Sequence, residues 1–395
     1  MTRCDAAVEV AKRAIEACHA GTLTARALEA AELPRAHRVF GVATGKVAAE
    51  MQAAVAAAVE PERWAGGMVV TDEVGGHPLP DEGSLRAGVA IEELLASAQL
   101  GPDDLVVASV SGGTSSLVAL PVEGVTLHDL RAATVDLLGA GIDVTRMNAV
   151  RARLSRFHGG GLLELTAPAR VAALVLCDNV QIGARGVGSA PTYAPPLTRD
   201  EAAAVVSAHV RPGVRERLLE RLRPDRPVRD CALELVVGEP KDLAAAAVRA
   251  ATALGLRAEL CPAPLLGEAR EAARAFACEL KRGALVGWGE VTVTLEDGGE
   301  GGRCREFALA AAQEIAGREA CVVAVASDGR DFTPGVAGAW VDGTTTRRAQ
   351  AAGLDLRAAL DGHDSGPAHA ALGQSIAGWR TGTNLCDLYL GVAGH

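Results

Sequence analysis

The sequence predicts an α/β protein of two domains, and three observations carry that expectation. The chain has 395 residues, where a domain takes roughly 150. Short apolar runs alternate with helical segments through both halves, the pattern of strands covered by helices. A Pro224-Asp225-Arg226-Pro227 stretch interrupts the alternation and reads as a linker. The expected domains are therefore residues 1–228 and 229–395. A chain this long can bury enough surface to fold without a disulfide or metal.

The elements follow in order. Residues 5–20 carry apolar positions at helical spacing (Ala6, Val10, Ala11, Ala14, Cys18). Residues 38–42 form a β-rich run, and Gly45-Lys46 opens an Ala-rich helix to about Val59. Residues 68–71 are a second short run, followed by a helix over 84–98. Residues 105–110 form a strand ending in Ser111-Gly112-Gly113, and 127–155 read as one long helix. A strand at 171–176 leads into a loop rich in Gly, Ser and Pro to Pro196. Past the linker come a strand at 232–237, helices at 241–254 and 267–280, and an alternating strand at 290–295. A glycine loop at 298–302, a helix at 306–316, a strand at 320–326 and a last strand near 388–392 complete the chain. Parallel, helix-covered sheets bind ligands outside the carboxyl ends of their strands. Gly45-Lys46 and Ser111-Gly112-Gly113 both fall at that edge.

Composition narrows the function. The formal net charge is −10, which argues against nucleic acid held by bulk electrostatics. Four Trp, two Tyr and five Phe leave no platform for stacking successive bases. No apolar run reaches the ~20 residues of a membrane span, and Met1-Thr2-Arg3-Cys4-Asp5 has no secretory leader character. The nine Cys show neither CxxC nor Cys/His clustering, so reduced thiols and a cytoplasmic protein are expected.

Several loops could carry chemistry, each with a plainer reading beside it. Gly41 to Lys46 superficially suggests a phosphate loop, but the spacing is one residue short and Val47 stands where Ser or Thr would hold magnesium. Lys46 at a helix start is either an anion-binding group or a surface lysine. Ser111 to Ser116 is either an anion nest or an ordinary strand-to-helix turn. Arg303, after the glycine loop, could clamp a carboxylate or phosphate bidentately. Asp328 and Asp331 could hold Mg²⁺ on nucleotide phosphates, or form a solvated turn. His158-Gly159-Gly160 is either a helix cap or a phosphate loop. No GxGxxG follows a strand, which counts against a dinucleotide site.

Taken in order, these segments resemble the glycerate 2-kinase family, whose C-terminal part is called the MOFRL domain. The matching segments in the first half are Gly45-Lys46-Val47-Ala48, His77-Pro78-Leu79-Pro80-Asp81-Glu82, Ser111 to Leu117, Asn148-Ala149-Val150-Arg151, Gly159-Gly160, Cys177-Asp178 and Ser189-Ala190-Pro191-Thr192. In the second half they are Gly301 to Glu306, Asp328 to Asp331, Ala337-Gly338-Ala339, and Thr381 to Asn384 with Asp387. The resemblance implies an N-terminal Rossmann-like parallel-sheet domain, a C-terminal MOFRL α/β domain, and an active-site cleft between them. It implies ATP- and Mg²⁺-dependent phosphorylation of a hydroxyl of D-glycerate or a related small hydroxy acid. Lys46 and Arg303 take the positions of the family's key charged groups.

Acid or nucleotide binding is then expected at Ser111, Gly112, Gly113, Thr114, Ser115, Asn148, Arg151, His158, Gly159, Gly160, Asp178, Ser189, Thr192, Thr383 and Asn384. Asp328 and Asp331 are the expected Mg²⁺ carboxylates. ATP and the acid are the expected partners, and a homodimer is compatible with the sequence. The chain departs from the family pattern at His158 (usually Lys), Asn179 to Ile182, Cys304 (usually Asn) and Phe332 (usually Gly). A changed acceptor, a catalytically lost binding protein, and NAD-dependent reduction of hydroxypyruvate are the alternatives.

Overall fold

The computed structural model describes residues 1–295 and 298–394. The chain forms two compact units: Ala20–Gly238, and Met1–His19 together with the chain from Glu239 onward. In the first unit β1 (Val39–Thr44), β2 (Trp64–Val70), β3 (Leu105–Val110), β4 (Arg170–Leu176) and β5 (Leu233–Gly238) form a parallel sheet of order β2-β1-β3-β4-β5. Every residue of β1 and β3 is buried, while the edge strands β2 and β5 alternate. That is the expected contrast between interior parallel strands and edges. Phe40 and Val42 pack with Ile91 and Leu95 of the helix Glu82–Ser97, and the helix Ala48–Ala58 packs against β1, β2 and β3.

The division falls later than the proline stretch suggests. Arg229 donates hydrogen bonds to Leu163 O and Ala169 O, at 3.0 and 2.7 Å, pinning the segment after Pro227 to the first unit. β5 then pairs with β4, so the strand expected at 232–237 completes the first sheet instead of opening the second domain. The long helix expected over 127–155 is two helices, Leu127–Gly139 and Val144–Arg153. Gly141 at φ +64° ends the first, with Ile142 N–H on Leu137 O and Gly141 N–H on Leu138 O. This is a Schellman closure, and Asp143 then caps the second helix through Arg146 N–H.

The second unit holds β6 (Ala258–Leu260), β7 (Gly283–Gly289), β8 (Ala320–Ala326), β9 (Val336–Asp342), β10 (Ser375–Ala377) and β11 (Asp387–Ala393), in the order β10-β9-β8-β11-β7-β6. Only β6 and β7 run parallel; the other pairings are antiparallel. The strand expected at 290–295 does not form. The sheet strand there is β7, and the following residues make only a bridge between Glu268 and Thr292.

The N-terminal helix Arg3–Ala17 belongs to this unit. Thr2 and Asp5 form its capping box, and Ala6, Ala7, Val10, Ala11, Ala14 and Ile15 make its buried stripe. That stripe lies on β8, β11 and the helix Pro240–Ala253. Cys4 and Cys321 are disulfide-bonded across this contact, which corrects the expectation of nine reduced thiols. Sequence proximity gave no hint, because the two cysteines are 317 residues apart. Among the described residues no helix is long and apolar enough to cross a membrane.

Candidate active site

In a parallel sheet of order 2-1-3-4-5 the strand order reverses between β1 and β3, and ligands bind at the carboxyl ends of those two strands. The turns after β1 and β3 are the Lys46 turn and the Ser111 to Ser116 turn. They are stitched together. Lys46 N–H donates to Gly112 O at 2.9 Å. Ser111 Oγ accepts from Val47 N–H at 3.4 Å and sits 3.3 Å from Thr44 O. Gly45, at φ +117°, admits no side chain, since a Cβ would lie 2.1 Å from Ser111 Oγ. Thr114 Oγ1 donates to Ser111 O at 2.8 Å. The Ser111 and Thr114 hydroxyls therefore shape the loops. Lys46 is half-buried, its stem against Gly113, where a Cβ would meet Lys46 Cγ at 3.3 Å.

Ser115 points the other way. Ser189 Oγ lies 2.8 Å from Ser115 Oγ and 3.0 Å from Asn148 Oδ1. Three residues far apart in sequence thus form one polar cluster. Ser189 and Ala190 hold it with left-handed backbone, φ +57° and +58°. Such strain in consecutive non-glycine residues persists only where the surroundings enforce it. Here Gly159 and Gly160 do so, donating their N–H groups to Ser189 O and Ala190 O at 3.0 and 2.9 Å. The phosphate-loop reading of His158-Gly159-Gly160 is thereby corrected: those two N–H groups are already taken by protein.

Ser115, Arg151 and His158 share a small cavity of about 30 Å³. His158 is buried, with Nε2 3.1 Å from Val118 O. Burial lowers its pKa to about 4, helped by the charges of Arg151 and Arg223, so the imidazole is neutral. Burial also lowers Arg151 to about 10. Among the described residues the Arg151 guanidinium has no carboxylate or hydrogen-bond partner, and burial is its one resolved influence. A desolvated, uncompensated cation beside hydroxyls is a site prepared for an anion.

Beyond Asn148 and Ser189 opens a pocket of about 570 Å³, whose walls include Gln181, Arg185, Thr192 and Tyr193. Thr192 Oγ1 is buried without a hydrogen-bond partner. Asp178 follows β4 and is half-buried. Sequence reasoning missed Gln181, Arg185 and Tyr193; Gln181 lies where the chain departs from the family pattern, and Arg185 and Tyr193 flank the Ser189-Ala190-Pro191-Thr192 segment without belonging to any motif.

In the second unit the register sets Asp387 beside both Gly289 and Ala326. Arg303, first residue of the helix Arg303–Glu314, lies at this edge. It grips Asp387 bidentately, Nε to Oδ2 at 2.5 Å and Nη2 to Oδ1 at 3.0 Å, and reaches Glu290 at 2.5 Å. Burial opposes its charge, but Asp387 and Glu290 hold it protonated well above the ordinary arginine range. Its side chain keeps 37% exposure, while Asp387 keeps 1%. Tyr389 OH donates to Asp387 Oδ2 at 3.2 Å.

Asp331 is not placed as a metal ligand. Its oxygens accept the N–H groups of Cys304 and Arg305 at 3.0 Å, with Arg305 Nε at 3.1 Å. The side chain is 1% exposed, so this carboxylate caps the helix that starts at Arg303. Gly302 permits it, because a Cβ there would lie 2.4 Å from the carboxylate. Asp328 is half-buried, with Oδ1 accepting from Arg330 N–H at 3.0 Å. Among the described residues no three His, Cys, Asp or Glu gather as a metal site. Thr383 is likewise structural: its hydroxyl donates to Cys18 O at 2.5 Å and its N–H to Thr381 Oγ1 at 3.2 Å. Asn384 is buried beside it.

Comparison with known proteins agrees with this layout. Residues 6–223 match a family described as a domain of unknown function, DUF4147, and residues 283–387 match the MOFRL family. The chain is 32% identical to a D-glycerate 2-kinase of Thermotoga maritima, over 98% of this chain and 97% of that one. It is 36% identical to a provisionally named hydroxypyruvate reductase of Agrobacterium vitis, over 90% and 87%. The crystal structure of a Thermotoga maritima glycerate kinase superposes with a TM-score of 0.81 at 29% identity, covering 98% of this chain and 99% of that one. The chain therefore belongs to the family that joins a DUF4147 domain to a MOFRL domain, the family of the glycerate 2-kinases.

Proposed function

We propose that the chain is an ATP-dependent kinase that phosphorylates a hydroxyl of D-glycerate or a closely related small hydroxy acid. The observation that carries this reading is Arg151: a desolvated guanidinium without a counter-ion, beside the Ser115–Asn148–Ser189 cluster near the β1/β3 switch point. The kinase names of the relatives support the same reading. Phosphoryl transfer asks a protein mainly for positioning and neutralisation of phosphate charge. Arg151 binds an anionic oxygen, and Ser115 and Ser189 offer hydroxyls to the same group. Lys46, above the stitched turns, carries positive charge to the transferring phosphoryl group. In the second unit Arg303 is a separate candidate for binding an anionic oxygen, its plane fixed by Asp387 so that little orientational freedom is left to lose. Mg²⁺ would supply charge neutralisation between phosphate oxygens. Asp328, just after β8, is the carboxylate that would hold it, since Mg²⁺ on nucleotides needs only one or two protein carboxylates.

ADP release with Mg-ATP across a panel of hydroxy acids tests the reading. Lys46→Ala and Arg303→Ala are each expected to lower kcat by about 100-fold or more; turnover within a few-fold of wild type would refute their roles. The second reading, reduction of hydroxypyruvate, follows from the Agrobacterium vitis relative. Protein-dependent oxidation of NADH by hydroxypyruvate, without ADP release, would replace the first reading with the second.

A further inference from the structure

The 570 Å³ pocket beside the Ser115–Asn148–Ser189 cluster is larger than the proposed acceptor needs. At about 30 Å³ for each water-sized group, the seven non-hydrogen atoms of a three-carbon acid fill about 200 Å³. The pocket lies instead in the range of sites that enclose whole cofactor moieties.

Its walls have a consistent chemistry. Tyr193, one of only two tyrosines in the chain, is half-buried in it. The Arg185 guanidinium lies over its ring, 5.4 Å from the centroid, and is steered by Glu234 at 3.7 Å. Ring and guanidinium together offer flat, polarisable faces of the kind on which nucleobases stack. Ile182 and Val228 add apolar wall. Thr192 Oγ1, in a residue only 3% exposed, faces this pocket with no protein partner. A buried hydroxyl left unmatched next to an open pocket is a hydrogen-bonding group for a ligand. Arg185 and Arg229 are offset by Asp230 and Glu234 along the same wall, so a neutral group suits it better than a polyanion. The uncompensated positive charge stands at Arg151, on the other side of Asn148 and Ser189.

We infer that this pocket is the nucleoside subsite. It takes the purine base and ribose of ATP, the base stacking on Tyr193 and Arg185 and hydrogen-bonding Thr192 Oγ1, with the phosphates directed towards Asn148 and Ser189. The inference rests on the kinase reading above and adds to it residues that bind the donor rather than the acceptor.

Calorimetry with two probes tests it: ADP, and inorganic tripolyphosphate, which lacks the nucleoside. Tyr193→Ala is expected to weaken ADP by about tenfold, in line with the loss of a stacked base, and Thr192→Val by about three- to tenfold, in line with the loss of one hydrogen bond; both leave tripolyphosphate unchanged. Arg185→Ala is the variant least exposed to folding effects, since the side chain is 78% exposed; it is expected to weaken ADP by about three- to tenfold. In turnover, KM for ATP rises in all three while KM for the acid holds. ADP affinity unchanged in Arg185→Ala and Tyr193→Ala overturns the inference, and so does a rise confined to the acid's KM, which would make this the acceptor pocket. A wild-type protein that binds and hydrolyses ATP under either result keeps the kinase reading standing. A wild-type protein that neither binds ADP nor releases it removes both.

Discussion

The buried His158 makes stability depend on pH in a calculable way. Its pKa falls from an ordinary 6.5 to about 4 because burial removes water from the charged form. Unfolding restores the ordinary value, so between these pH limits the unfolded chain binds more protons than the folded one. Stability is then full above about pH 6.5 and is lost as pH falls towards 4. Integrating the proton uptake from pH 7.5 to pH 5 gives a loss of about 2 kcal/mol from this one residue. Urea denaturation of wild type and His158→Gln at several pH values checks it. Glutamine keeps a donor for Val118 O but does not titrate, so the variant is less stable at pH 7.5 and yet loses about 2 kcal/mol less on going to pH 5. His369, buried with Nε2 3.0 Å from Arg305 O and also lowered to about 4 by burial, allows the same comparison in the second unit. Parallel pH curves for wild type and His158→Gln would refute the reasoning. The same geometry bears on His158→Lys. An ammonium there would be buried near Arg151 with no carboxylate, so the change is expected to lower stability, read as a drop in melting temperature.

Other expectations follow from the same contacts. Arg151→Gln removes a charge that no protein group compensates, so melting temperature is expected to hold or rise while KM for the acid or for ATP rises at least tenfold; a clear drop in melting temperature would show that the guanidinium has a structural partner. Gly302→Ala forces the Asp331 carboxylate off the N–H groups of Cys304 and Arg305, at a cost of about 1–3 kcal/mol, and displaces Arg303; denaturation and kcat should fall together, and an unchanged midpoint would count against the capping role. Arg303→Lys cannot reproduce the bidentate grip on buried Asp387; it should lower both kcat and stability, and a stability loss alone would make Arg303 a scaffold residue.

How much of this was legible in the sequence varies with the range of the interaction. Residues 105–110 declare a buried parallel strand because every position is apolar or small, and 39–44 nearly so. β7 and β9 escape because glycine interrupts them, in Gly283-Ala284-Leu285-Val286-Gly287-Trp288-Gly289 and in Val336-Ala337-Gly338-Ala339. The alternation at 290–295 misled because it meets only an isolated bridge. The turns holding Lys46 and Ser111 were legible because strand ends mark the ligand edge of such sheets. The meeting of Ser115, Asn148 and Ser189 was not, since it depends on left-handed backbone at Ser189 and Ala190 that no glycine announces. Asp331 looked like a solvated or metal-binding acid; only the approach of the helix start at Arg303 reveals a cap. That Arg151 lacks a counter-ion is a statement about its surroundings, which the sequence does not contain.

The N-terminal helix Arg3–Ala17 packs with strands encoded some three hundred residues later. During synthesis it leaves the ribosome long before those strands, with its stripe of Ala6, Val10, Ala11 and Ile15 uncovered. It must wait until β8 and β11 have been made. The Ala20–Gly238 unit is continuous in sequence and can complete its sheet in the meantime. Maturation of the second unit is therefore gated by β11: a ribosome stalled before Asp387 would carry one finished sheet and a helix Arg3–Ala17 still lacking part of its packing surface.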